Sequence, residues 1–170
     1  APMVNITKKI TPDFKYSGSD ILFIDLGYNY TRLGGSALAQ VYNQIGDDCP
    51  DFKNISLFKL IFDNIQNNLF NKILSGHDKS DGGLITTVLE MCFAGNKGCI
   101  LNIDKYTDIL KYFFNEEIGL VIEVYKKHTQ MVIDSFKSKV PVYKIGETIE
   151  DNIVEILNPV SSNLAKASKF

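Results

Sequence analysis

Ser75-Gly76-His77-Asp78-Lys79-Ser80-Asp81-Gly82-Gly83-Leu84 sets two carboxylates, a hydroxyl and a glycine pair directly before an apolar run over residues 84–93. That run reads as a helix, and the first amides of a helix lack internal partners and carry the positive end of its dipole. Glycines there let a phosphate approach the backbone, and a nearby aspartate can hold the Mg²⁺ that accompanies a nucleotide. The stretch therefore predicts a phosphate or metal–nucleotide site. The same residues also allow a plainer reading, in which Ser80 or Asp81 caps the helix; capping is the commoner use of these residue types.

Outward from this run the elements alternate. Residues 21–26 are apolar and partly β-branched, a strand ending near Gly27. Gly34-Gly35-Ser36 opens a helix through residue 45, stopped by Gly46. Leu57, Leu60, Ile61, Ile65, Leu69 and Ile73 keep helical spacing, which predicts a helix ending near Gly76. The motif helix covers residues 82–94, with Gly95-Asn96 as its stop signal. A strand follows at 98–103, then a helix over 106–114 that Asp104 can cap, then a continuous apolar run at 119–124 that reads as a buried strand. A helix at 130–136 and strands at 140–145 and 153–156 complete the series, and the polar stretch 158–170 reads as a tail or interdomain linker. Interleaved helices and strands predict a layered α+β or α/β unit, and the late consecutive strands predict partly antiparallel pairing.

A chain of 170 residues with 45% apolar and 22% charged residues is ordinary for one globular domain. Its net charge of −2 provides no electrostatic footprint for nucleic acid or an anionic membrane. No apolar stretch approaches the ~20 residues that span a bilayer, and the start lacks a secretory h-region, so a cytosolic location is expected. Three cysteines without a C-x-x-C pair argue against a disulfide framework or structural zinc. Cys49 stands among Asp47, Asp48 and Asp51, where neighbouring carboxylates disfavour a thiolate nucleophile, and Cys92 reads as a buried packing residue.

Several segments in order resemble one family. His77-Asp78-Lys79-Ser80-Asp81-Gly82-Gly83-Leu84 with Leu89-Glu90-Met91-Cys92-Phe93-Ala94-Gly95-Asn96 is similar to the second half of the phosphoribosylformylglycinamidine synthase family. Arg32-Leu33-Gly34-Gly35-Ser36-Ala37-Leu38-Ala39-Gln40, Thr11-Pro12-Asp13 and Phe114-Asn115-Glu116-Glu117-Ile118-Gly119-Leu120 keep that family's order, so the resemblance reaches residue 124. It implies the C-terminal domain of the aminoimidazole ribonucleotide (AIR) synthetase superfamily, a mixed sheet with helices packed on it, over residues 1–157 and lacking an opening strand. It implies a role in an ATP-dependent ligase of purine biosynthesis that takes ammonia from glutamine, with ATP-binding and glutaminase domains as partners in the same polypeptide.

Carried over residue by residue, the resemblance makes Asp78 a ligand of Mg²⁺ on a bound nucleotide, ATP or ADP, and gives Ser80, with Gly82 and Gly83, a part in nucleotide binding. No catalytic residue is expected in this chain, and the isolated chain is expected to be inactive, because one carboxylate seldom holds Mg²⁺ alone and the reacting groups lie outside it. A homodimer of the fragment, or a non-catalytic scaffold that keeps the fold, is compatible with the same residues. His77 reads as a loop anchor rather than a base. Arg32 reads either as a phosphate clamp or as part of a tight turn, paired to a surface acid. Glu116 and Glu117 point to opposite strand faces, which argues against a catalytic pair and for a solvated strand entrance.

Overall fold

The central strand, β1 (Asp20–Asp25, DILFID), is buried along its whole length. The reason lies in its period of two. Ile21 and Phe23 enter one apolar cluster and Leu22 and Ile24 another, on opposite faces of the sheet. The structure is a computed structural model, and it describes residues 5–52, 54–103, 108–136, 139–157 and 165–166.

β1 pairs antiparallel with β4 (Gly119–Val124) on one side and with β5 (Val142–Ile149) on the other. β2 (Ile73–Lys79) pairs antiparallel with β4 and forms one edge. β3 (Gly98–Asn102) lies antiparallel to β5, and β6 (Val154–Leu157) runs parallel to β3. Ala165–Lys166, within the stretch read as a polar tail, form a short β7 antiparallel to β6; the rest of that stretch lies outside the described residues. The sheet order is β2-β4-β1-β5-β3-β6-β7. The expected mixed sheet with helices packed on it is therefore observed.

Leu84, Val88 and Met91 of α3 (Gly83–Gly95), with Tyr112 and Phe113 of α4 (Ile109–Phe114), cover the Ile21–Phe23 face. Ile61 of α2 (Ile55–Asn64), with Val132 and Phe136 of α5 (Thr129–Phe136), covers the Leu22–Ile24 face. A short α1 (Ala37–Val41) follows the Gly34-Gly35 turn, capped by Ser36, whose Oγ accepts from the Ala39 amide at 3.2 Å. Glu123 of β4 is wholly buried, yet its carboxylate accepts from the amides of Lys15 (2.8 Å) and Tyr16 (3.0 Å) and from Ser75 Oγ (2.9 Å). A buried charge supplied with three donors ties the segment ahead of β1 to the sheet.

Three sequence expectations change. The helix foreseen up to Gly76 stops at Asn64, continues as a π-helical turn over Ile65–Leu69, and gives way to β2 at Ile73. His77 and Asp78 thus stand on an edge strand, because pairing with β4 outweighs the local helical spacing. The second change concerns α1, which ends at Val41 rather than near residue 45, with Asn43 at φ 55° turning the chain. Finally, α4 is capped by Asp108, whose side chain accepts from the Lys111 amide; Asp104 lies outside the described residues.

Candidate functional site

Three strand ends meet beside the start of α3. Gly119 opens β4 and is in register with Asp25 at the end of β1 and with Lys79 at the end of β2. The loop Asn115-Glu116-Glu117, just before Gly119, reaches both glycine-containing segments. Glu116 Oε1 accepts from the amide of Gly82 at 2.8 Å and from the amide of Ala37, also at 2.8 Å. One carboxylate thereby serves the starts of α3 and α1 together. Glu117 is buried and takes Arg32 in a fork: Nε donates to Oε1 at 2.6 Å and Nη2 to Oε2 at 2.8 Å. Those hydrogen bonds raise the guanidinium above the usual arginine range.

This arrangement corrects three readings. Neither Ser80 nor Asp81 caps α3: the N-cap residue is Gly82 at φ 83°, with no side-chain cap, and Gly83 follows at φ 74°. Left-handed backbone at two successive residues suits glycine, and it turns the Gly82 amide towards Glu116. The Gly83 amide donates to the Ser80 carbonyl at 3.0 Å. Nor are Glu116 and Glu117 a solvated strand entrance, and the partner of Arg32 is a buried acid rather than a surface one.

Lys79 turns inward from the motif. Its Nζ donates to Asn115 Oδ1 at 2.7 Å and lies 5.1 Å from the centroid of the Phe23 ring. Burial pushes its ammonium down to about 8, against the opposing pull of Asp25, Glu117 and Glu116. Burial also raises the Asp25 carboxyl, although the amides of Gly27 and Asn29 donate to it. The sign for Lys79 follows from linkage. Between its folded value near 8 and the ordinary 10.5 the unfolded chain holds a proton that the folded chain has released, so stability rises with pH across that window. Urea denaturation is expected to show a gain of about 3 kcal/mol at most in the wild type, absent in Lys79→Met. Parallel curves for the two proteins would remove Lys79 as the cause.

Asp78, by contrast, faces outward, its side chain 72% exposed. Beside it opens a mainly apolar groove of about 340 Å³, lined by Ile10, Phe62, Ile65, Gln66, Ile73 and Leu120 among others, with His77 and Asp78 also in its lining. His77 Nδ1 lies 2.8 Å from the Asp78 carbonyl oxygen and 3.3 Å from its Oδ1, while Nε2 lies 3.3 Å from Glu90 Oε2 on α3. Ser80 and Asp81 are both exposed at the turn. Among the described residues no group of three or more His, Cys, Asp and Glu can hold a metal ion. The donor set fits a hard cation that takes one carboxylate from this chain and its other oxygens from phosphates and water, a common arrangement for Mg²⁺.

Of the residues expected at the site, then, Asp78 and Ser80 are exposed near one another in sequence, while Gly82 and Gly83 shape the turn with amides engaged by protein acceptors. The sequence reading missed the service of Glu116 and Glu117 to both glycine segments, the inward Lys79, and the contact of Glu90 with His77. All four belong to the motif segments, but their partners depend on chain crossings that no local pattern encodes.

Cys92 is buried, as expected for a packing residue, and lies 3.8 Å from the buried Cys99, whose thiol is raised by the hydrogen bond to Cys92 and by burial; Cys49 is exposed. Among the described residues no helix is long and apolar enough to cross a membrane.

Comparison with known proteins places this architecture. The family model described as AIR synthase related protein, C-terminal domain, matches residues 18–157. A probable phosphoribosylformylglycinamidine synthase, chloroplastic/mitochondrial, of Arabidopsis thaliana is 40% identical over 173 residues, covering 98% of this chain and 12% of that protein. The phosphoribosylformylglycinamidine synthase of Dictyostelium discoideum is 43% identical over 163 residues, covering 89% and 12%. The chain thus spans about an eighth of the length of these relatives. Among solved structures, Thermotoga maritima PurL complexed with FGAR superposes with a TM-score of 0.75 at 13% identity, over 94% of this chain and 28% of that one. The hydrogenase maturation protein HypE in complex with ATP superposes with a TM-score of 0.66 at 16% identity, over 98% and 55%. At such identities these two structures establish shared fold alone, whereas the family match, over residues 18–157, runs through β1 to β6 and α1 to α5. This chain belongs to the AIR synthase related protein, C-terminal domain family.

Proposed function

We propose that the chain is one domain of a phosphoribosylformylglycinamidine synthase, residues 1–157, with 158–170 as a polar tail or interdomain linker that adds the short β7 to the sheet. That ligase converts formylglycinamide ribonucleotide to the amidine in purine biosynthesis, with ATP and with ammonia released from glutamine. The names and identities of the curated relatives support the reading. In it, the domain supplies packing and an auxiliary Mg²⁺–nucleotide contact, with Asp78 on the metal, Ser80 on the nucleotide, and Gly82 and Gly83 giving the turn its shape. Bound Mg²⁺ would offset phosphate charge there. The observation that carries the contact is the exposed Asp78 carboxylate in the lining of the groove.

Titration of the full-length protein with ADP and Mg²⁺ tests it. Asp78→Ala is expected to weaken the Mg²⁺-dependent part of ADP binding by about tenfold or more, and Asp81→Ala to leave it unchanged. Equal Mg²⁺ dependence in wild type and Asp78→Ala would remove the metal role. It would favour a second reading, a scaffold module without nucleotide binding. That reading draws on the engagement of the Gly82 and Gly83 amides by Glu116 and Ser80, which leaves those two donors committed to protein.

The proposal further holds that the chain alone makes no product even from added ammonia, since the ATP-binding half of the synthase site lies outside it; product formed from ammonia by this chain would overturn that. The exposed Ile55, Phe58 and Phe62 of α2 support a face covered by such a neighbour, or by a second copy in a homodimer of the fragment. A cytosolic location belongs to the same proposal, to be checked by fractionation; the Arabidopsis relative's name places that protein in organelles.

A further inference from the structure

Resting on the reading of Ser80 above as a nucleotide contact, we infer that Glu116 is a positioning residue for the Ser80–Gly83 turn, held to that task by the start of α1. The turn is closed by the Gly83 amide, which donates to the Ser80 carbonyl at 3.0 Å. Gly82, at φ 83° and ψ −3°, has the dihedrals of the third residue of a type II turn. Types I and II differ by a flip of the central peptide, here the one that joins Asp81 to Gly82. Glycine accepts either sign of φ at that position, so the turn by itself does not choose between them. Glu116 chooses. Its Oε1 accepts from the Gly82 amide at 2.8 Å, and the flipped peptide would point that N–H away.

The same oxygen accepts from the amide of Ala37 at 2.8 Å. Ala37 is the first residue of α1, directly after its N-cap Ser36. A backbone N–H only donates and a carboxylate oxygen only accepts, so the sense of both bonds is fixed. Glu116 stands half-buried on the loop between α4 and β4, and the α1 donor keeps its side chain over the turn. Ser80 and Asp81 are exposed on that turn. A ligand that needs one of two backbone states binds more weakly in proportion to the time spent in the other. A loop already held in its binding form also loses less freedom when the ligand arrives. The two glycine segments of the sequence are in this way coupled through one carboxylate oxygen.

Calorimetric titration of the full-length protein with ADP at saturating Mg²⁺, well below the melting temperature of each variant, tests the inference. Glu116→Ala is expected to weaken ADP binding by about fivefold. Glu116→Gln keeps Oε1 as an acceptor and is expected to stay within about twofold of wild type. Ala37→Pro removes the α1 donor alone. Proline is accepted at the first helical position, and Ser36 before it is already extended at φ −69° and ψ 159°. This variant is expected to weaken ADP binding by about threefold with its melting temperature within about 3 °C of wild type. Should Glu116→Ala fail to fold, Ala37→Pro carries the test. In a Ser80→Ala background neither change is expected to have a further effect, since the contact they position is gone. Undiminished losses in that background would overturn the inference. So would wild-type affinity in Glu116→Ala or in Ala37→Pro while Ser80→Ala weakens binding, and the Ser80 contact would then stand without it. If Ser80→Ala itself leaves ADP affinity intact, the Ser80 contact fails and the inference falls with it.

Discussion

Arg32→Ala is expected to destabilise the chain by about 3–5 kcal/mol, the cost of stranding a buried carboxylate without its partner. The Glu117 side chain is 2% exposed and that of Arg32 15%. Beyond the fork, the backbone amide of Arg32 donates to Glu117 Oε1 at 3.3 Å, and Nη2 also donates to the Asp51 carbonyl at 3.2 Å. The guanidinium further lies 4.9 Å from the Tyr30 ring centroid, so alanine removes packing as well as charge. Arg32→Lys keeps a cation but has no planar fork, and an intermediate loss is expected. Urea denaturation measures both. A loss below about 1 kcal/mol for Arg32→Ala would put the pair among ordinary surface ion pairs, with no buried carboxylate left stranded.

Gly83→Ala is expected to cost more than about 3 kcal/mol, combining left-handed strain with a displaced backbone. At φ 74° any Cβ is strained, and here it would lie 2.5 Å from the Phe113 carbonyl oxygen and 2.7 Å from that of Asn115. Those atoms belong to the end of α4 and the loop that carries Glu116, so relief requires moving the acceptor of the Gly82 amide. Gly18→Ala separates the two contributions. Its φ of 79° is similar, but nothing lies within 4 Å of a Cβ there, so strain alone is expected, about 1–2 kcal/mol. Equal losses in the two variants would show that the close approach at Gly83 contributes nothing.

The local pattern carried much of the architecture. β1 was legible as a strand because Ile21-Leu22-Phe23-Ile24 is a short, partly β-branched apolar run stopped near Gly27; its cover on both faces came only from the packed helices. α3 was legible because Leu84, Val88, Met91 and Cys92 repeat at helical spacing and Asn96, at φ 49°, closes the helix. β2 was not. Ile65, Leu69 and Ile73 lie on a helical period, and only pairing with β4 draws Ile73 and the residues after it into extended backbone. The π turn at Ile65–Leu69 absorbs the mismatch between the end of α2 and the start of β2.

At the site the division is the same. The order of the motif segments named the family, and it was the resemblance, not residue type, that singled out Asp78 as the expected ligand of a hard cation. Which acceptors the glycine turn and the arginine meet was settled elsewhere. Glu116 lies 34 residues from Gly82 and 79 from Ala37, and Glu117 lies 85 from Arg32. Periodicity reports which face of an element is apolar, a property of neighbours along the chain. Such long-range pairings exist only once β1, β2 and β4 bring their ends together, because that assembly alone buries the charges and leaves each one needing its partner.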